Sequence, residues 1–202
     1  GATSVYPVLK GKNLDKIYFK GEEGNNGVKI KVNKTNTYNQ YRYRTNGGAF
    51  GEFNSIDENG STISSISNNI ALQMLGSSAF GMSNAVGIVK DNDEPTITVK
   101  DKDGNDKVAY EFDGTKISDF LEISAEDSGS GVKYTKITKE DITKEDTTKE
   151  DTTALATLDG IKSIDEFDEG NELTYYIYAV DNVGNIAKKK ITVTVDTKAP
   201  TI

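Results

Sequence analysis

Leu173-Thr-Tyr-Tyr-Ile-Tyr-Ala-Val-Asp-Asn-Val-Gly-Asn-Ile-Ala-Lys-Lys-Lys-Ile-Thr-Val-Thr-Val195 is the stretch from which the architecture of this protein can be read. It reads as strand, tight loop, strand. In the first strand Leu173, Tyr175, Ile177 and Ala179 share one face, and Thr174, Tyr176, Tyr178 and Val180 the other. In the second, Ile191, Val193 and Val195 alternate with Lys190, Thr192 and Thr194, the period of a half-buried strand. Asp181-Asn182-Val183-Gly184-Asn185 between them turns the backbone, because Gly tolerates positive φ and Asx side chains bond their own backbone. A lone hairpin is marginal in water, so other strands must cover its apolar face.

The residues after the hairpin have a counterpart upstream. Asp196-Thr-Lys-Ala-Pro-Thr-Ile202 and Asp91-Asn-Asp-Glu-Pro-Thr-Ile97 both run Asp, three residues, then Pro-Thr-Ile, with prolines 200 and 95 lying 105 positions apart. Leu72–Leu75, a Gly/Ser loop through Gly81, and Asn84–Val89 supply a weaker hairpin before the upstream copy. A strand pair followed by the same linker, twice, is an internal repeat about one domain long.

These residues carry a family resemblance. Ala179-Val-Asp-Asn-Val-Gly-Asn185, the two linkers and Asp127-Ser-Gly-Ser-Gly-Val132 resemble the tandem immunoglobulin-like repeats of bacterial surface and secreted proteins. The resemblance covers residues 93–202 well. It reaches 1–92 through the last two strands and the linker, where Gly76 and Ser77 stand in place of the Asp181-Asn182 pair. It implies an all-β protein of two tandem immunoglobulin-like β-sandwiches, 1–92 and 93–202, with residues 197–202 leading toward a further repeat. It also implies an extracellular bacterial protein in which the units act as non-catalytic spacer or display modules of an adhesin-like polypeptide. Their first partners would be neighbouring repeats of the same polypeptide. Two other roles stay open: a module that binds a host protein or glycan, and an accessory domain of a secreted glycoside hydrolase.

Composition agrees with thin sandwiches. The 202 residues fit two domains of about 100, and the hydrophobic fraction is 35%. No apolar run approaches the ~20 residues a membrane helix needs, so no membrane insertion is expected. Cysteine is absent, so both cores must hold by packing without a disulfide. Charge is unevenly shared. Residues 1–92 carry 10 Lys+Arg against 7 Asp+Glu, a net +3; residues 93–202 carry 14 against 25, a net −11. So acidic a second half argues against nucleic acid as a partner.

Expected strands in the first half are Val5–Leu9, Lys16–Lys20, Val28–Val32, Tyr38–Arg44, Ala49–Phe53, Ser61–Ile66, Ile70–Leu75 and Ala85–Val89. In the second half they are Thr96–Lys100, Val108–Phe112, Ile117–Ala125, Val132–Ile137 and Leu155–Ile164, before the hairpin. Thr138-Lys-Glu-Asp141, Thr143-Lys-Glu-Asp146 and Thr148-Lys-Glu-Asp151 repeat every five residues, a period of neither strand nor helix. Ile142 is the one apolar residue in this run, so 138–153 reads as a solvated low-complexity insertion.

Histidine and cysteine are both absent, which removes most zinc sites, the Ser-His-Asp arrangement and thiol nucleophiles. Tryptophan, the usual sugar-stacking platform, is absent too, and the acids sit in turns, so no enzyme is expected. Two candidate sites remain. Asp91, Asp93 and Glu94 at the expected junction could meet Glu126, Asp127 or Asp181 to hold calcium, a hard cation that takes six to eight oxygens. The resemblance also extends to cadherin linkers, which calcium rigidifies. The strand Tyr41-Arg42-Tyr43-Arg44 sets tyrosines on one face and arginines on the other; it reads as a central strand or as a ligand-binding strip. Lys–Asn/Asp isopeptide staples occur in related adhesin domains, but no pair here carries a legible signature.

Overall fold

A computed structural model describes residues 5–10, 13–21, 28–76, 81–106, 109–112, 121–143, 172–195 and 201–202. The protein divides into two compact units, Gly1–Asn92 and Asp93–Ile202. Every regular element among the described residues is a β-strand.

Unit 1 contains β1 (Val5–Lys10), β2 (Asn13–Phe19), β3 (Val28–Val32), β4 (Tyr38–Thr45), β5 (Asn54–Ser55), β6 (Ser61–Ile66), β7 (Ile70–Gly76) and β8 (Val86–Lys90). One sheet runs β1-β2-β8-β7-β4-β5; β3 and β6 form the second. Phe19, Val28, Val32, Ile56, Ile63, Ile66, Ile70 and Ile88 fill the space between them. In β6 the alternation Ser61, Ile63 inward against Thr62, Ser64 outward breaks at Ser65, whose φ is 60°. The register against β3 shifts there between Val28 and Ile30, so a bulge returns Ile66 to the core.

Unit 2 contains β9 (Thr96–Lys100), β10 (Ala109–Phe112), β11 (Glu122–Glu126), β12 (Val132–Thr138), β13 (Glu172–Asp181) and β14 (Ile186–Val195). Its sheets run β10-β14-β13-β12 and β11-β9. Val99, Leu121, Ile137, Tyr175, Ile177, Ile191 and Val193 form the core. The two units share one arrangement. An early strand pairs in parallel with the last (β2 with β8, β10 with β14), the last two strands form an antiparallel hairpin, and β4 or β12 flanks it. Two packed sheets with this order make each unit an immunoglobulin-like β-sandwich.

Two expectations need correction. Ala49–Phe53 is not a strand; it crosses β4 as a loop, and only Asn54–Ser55 pairs, with Gln40 and Tyr41. Its Phe50 and Phe53 stack on arginines instead of joining a ladder. Second, the described start of 138–153 is exposed at 139–141 and Thr143, yet it is tethered at both Thr138 and Ile142. Thr138 ends β12, and Ile142 packs on Tyr178, Val180 and Ile186. β13 buries both faces over its second half: Tyr178, Ala179, Val180 and Asp181 are all buried. The segment at 142 supplies the cover that a free-standing sheet face would lack. The expected strand Leu155–Ile164 and the rest of the insertion lie outside the described residues, as does 117–120 of Ile117–Ala125.

Candidate functional site

The loop between β13 and β14 is built around one carboxylate. Asp181 is fully buried, and its Oδ1 accepts from the backbone N–H of Val183 (3.0 Å), Gly184 (2.6 Å) and Asn185 (2.7 Å). Its Oδ2 accepts from Asn185 Nδ2 at 2.7 Å. Gly184 adopts φ 97°, which is why glycine occupies the turn. Asn182 then ties this loop to its neighbour: its backbone N–H donates to Gly131 O (3.0 Å), and its Nδ2 donates to Ser130 O and Gly131 O (2.9 Å each). Gly131 N–H in turn donates to Asp127 Oδ2 at 2.5 Å. Two Asx-anchored loops are thus fastened together.

This architecture brings two of the six candidate acids together within unit 2. Carboxylate oxygens of Asp127 and Asp181 lie within 4.8 Å of each other. Like charges so close favour a cation between them. The supply is limited, because Asp181 Oδ1 already accepts three N–H groups, and calcium wants six to eight oxygens. Glu126 ends β11, exposed, opposite Thr96. Asp93 and Glu94 are exposed at the start of unit 2. Asp91 is buried at the end of unit 1, where its N–H donates to Phe19 O (2.8 Å) and the adjacent Asn92 side chain brackets Gly21.

The Tyr/Arg strand lies in β4 of unit 1. Tyr41 packs against the core. Arg42 sits between Phe50 and Phe53, its guanidinium carbon 4.6 and 4.5 Å from the ring centroids, and Arg44 lies 4.8 Å from Phe50. Arg42 also donates from Nε to Gln73 Oε1 (3.0 Å) and from Nη2 to Met82 Sδ (3.4 Å). Both arginines therefore have intramolecular aromatic partners on the faces a ligand strip would offer. Tyr43, 37% exposed, is the member left open; it borders a shallow cleft of about 150 Å³ with Thr45, Ser64 and Asn68.

A third cluster lies beyond what the sequence suggests. On the outer face of β13 and β14, Tyr178 Oη donates to Asp141 Oδ1 (3.1 Å) and accepts from the Ile142 N–H (3.0 Å). Lys188 Nζ donates to both Asp141 oxygens, at 2.9 and 3.0 Å. The Lys188 bond holds the Asp141 carboxyl below its ordinary range, and Asp141 raises Lys188 in return. Burial first, then Asp141, pushes the Tyr178 phenol up. The one signal in the sequence is that Ile142 is the single apolar residue of the acidic run.

No protein-family model matches the sequence, and no curated protein matches it. Among solved structures, the N-terminal four immunoglobulin domains of Dscam1 isoform 8.4 align with 96% of this protein at 10% identity and a TM-score of 0.31. The alignment spans 47% of that structure. Protocadherin gamma C5 EC1-3 aligns with 96% at 13% identity and a TM-score of 0.28, and is covered to 68%. No helix among the described residues is long and apolar enough to cross a membrane.

Proposed function

We propose that the two units are non-catalytic structural modules, spacers that hold a head domain out from a bacterial surface in an adhesin-like protein. The observation that carries this reading is the path of the backbone through unit 2. Thr96 opens β9 opposite Glu126, beside the loop that Asn182 fastens to 181–185. β14 starts directly after that fastened loop and runs ten residues, about 30 Å at the strand rise. The backbone thus enters at one end of the sandwich and leaves at the other, as end-to-end stacking requires. Tension between those ends loads β10 against β14 lengthwise, so their ladder bonds must shear together instead of opening one at a time. The extracellular bacterial setting is supported by the linker and loop motifs alone.

Pulling residues 93–202 by their ends in single-molecule force spectroscopy tests this. A spacer gives one abrupt high-force rupture; gradual unravelling at low force counts against it. A panel of glycans and host-matrix proteins supplies the complementary arm, since a spacer binds none of them.

A second reading, in which a cation stiffens the loop end of unit 2, is favoured by the proximity of Asp127 and Asp181. Asp127 and Oδ2 of Asp181 would hold the ion. Calorimetric titration with calcium decides: heat absent from Asp127→Asn but present in wild type supports it, and no heat in wild type ends it.

A further inference from the structure

The sequence holds three Asn–Gly steps, 26–27, 46–47 and 59–60, of which the first lies outside the described residues. In such a step the glycine nitrogen can attack the preceding side-chain amide, because glycine presents no side chain to shield it. The folded protein treats the two described steps differently. Asn46 and Gly47 form the tip of a two-residue turn closed by Gly48 N–H on Thr45 O at 2.9 Å. Both take left-handed φ, 48° and 73°, the geometry that selects Asn-Gly in hairpins. Both are exposed. Among the described residues nothing hydrogen-bonds the Gly47 N–H or the Asn46 side chain, and no atom lies within 4 Å of where a Gly47 side chain would begin. At the other step Gly60 N–H donates to Asp57 O at 2.9 Å. A side chain there would collide with Asn33 Oδ1 and Lys31 Cε, each 2.7 Å away.

We infer that Asn46–Gly47 is a self-modification site, where asparagine deamidates through a cyclic imide while the Asn59–Gly60 turn protects its own step. The Gly47 nitrogen loses its proton to water or hydroxide and bonds to Asn46 Cγ. The bond from Cγ to the amide nitrogen Nδ2 breaks, and ammonia leaves. Water then opens the imide at one of two carbonyls. Breaking the bond between Cγ and the Gly47 nitrogen restores the backbone with aspartate; breaking the α-carbonyl–N bond leaves isoaspartate, with one more methylene in the backbone. Water is the sole co-reactant. The product places a carboxylate at the tip from which residues 49–53 cross Arg42 and Arg44, and isoaspartate lengthens the turn that Thr45 and Gly48 close.

The intact 202-residue protein, held in mildly alkaline buffer and sampled by peptide-mapping mass spectrometry, tests this residue by residue. A parallel sample with hydroxylamine, which cleaves the imide, reads the intermediate. The expected result is loss of Asn46 several-fold faster than Asn59, with hydroxylamine cutting mainly after 46. In denaturant the two rates should converge, since the turns that distinguish the steps are gone. Equal rates in the folded protein overturn the assignment, and so does a lead for Asn59. A difference that survives denaturant overturns it as well, because neighbouring sequence, not the fold, would then set the order.

Discussion

Asp181 is a charge placed out of water where four donors meet it, and that explains both its burial and its type. Removing the side chain takes the Oδ1 acceptor away from the Val183, Gly184 and Asn185 N–H groups, and the 3.4 Å bond from Gly184 N–H to the Asp181 carbonyl offsets little of that loss. Asp181→Ala should therefore cost about 3 kcal/mol or more, since hydrogen bonds to charged groups contribute about 1.5–3 kcal/mol each and do not add in full. Urea unfolding of unit 2 measures it, and Asp181→Asn, which keeps an acceptor, should lose less. Tyr175 predicts the opposite behaviour. The residue is 1% exposed, its hydroxyl has no hydrogen-bond partner among the described residues, and burial raises its pKa. Tyr175→Phe keeps the ring and removes the unmatched polar atom, so stability should hold or rise by up to about 1 kcal/mol. A large loss in the same urea assay would contradict this packing. The Asx-rich string 181–185 is legible as a turn from local chemistry. That Asp181 is buried and Asp127 stands beside it is not, because 54 positions separate them in the sequence.

At the scale of elements, the outer face of β13–β14 depends on a short segment that looks dispensable in the sequence. Ile142 closes the cluster of Tyr178, Val180 and Ile186, and half-burying such a side chain is worth about 1 kcal/mol. Ile142→Ser should lower the stability of unit 2 by that order, with a matching fall in melting temperature by calorimetry; no change would mean the segment does not dock. The ionic part of the latch has a definite pH signature. Lys188 depresses Asp141, so that contribution is complete above the unfolded carboxyl value, near 4, and is lost as pH falls through the lower folded value. Lys188 is raised, so its contribution is complete below about 10.4 and is lost as pH rises through the higher folded value. Both side chains are about half exposed, so added salt should weaken the pair. The stability difference between wild type and Asp141→Asn should shrink toward acid pH; a constant difference would exclude an ionic contribution. Pentad periodicity sets this run apart from strand and helix patterns in the sequence. It cannot show that Asp141 reaches a lysine 47 positions away, because that depends on where β14 passes. The same holds for 49–53, whose aromatic alternation suits a strand until the arginines of β4 offer the rings cation–π partners.

For the whole molecule, each unit has its own core, so residues 1–92 and 93–202 expressed separately should each give dispersed NMR spectra and a cooperative melt. Failure of either unit to fold alone would mean its core is incomplete. The fold class is open to sequence reading because strand period, Asx-Gly turns and the repeated Asp-to-Pro-Thr-Ile linker are local signals, written within a few residues of one another. From residue order alone follow an all-β protein without disulfides, imidazoles or thiols, and an acidic second half. Packing in three dimensions settles the rest: which acids stand together, that Phe50 and Phe53 cover Arg42, that Ile142 seals a sheet face, and that one Asn–Gly step is open while the other is closed. Those outcomes depend on which distant strands pack side by side, and neither spacing nor composition records that.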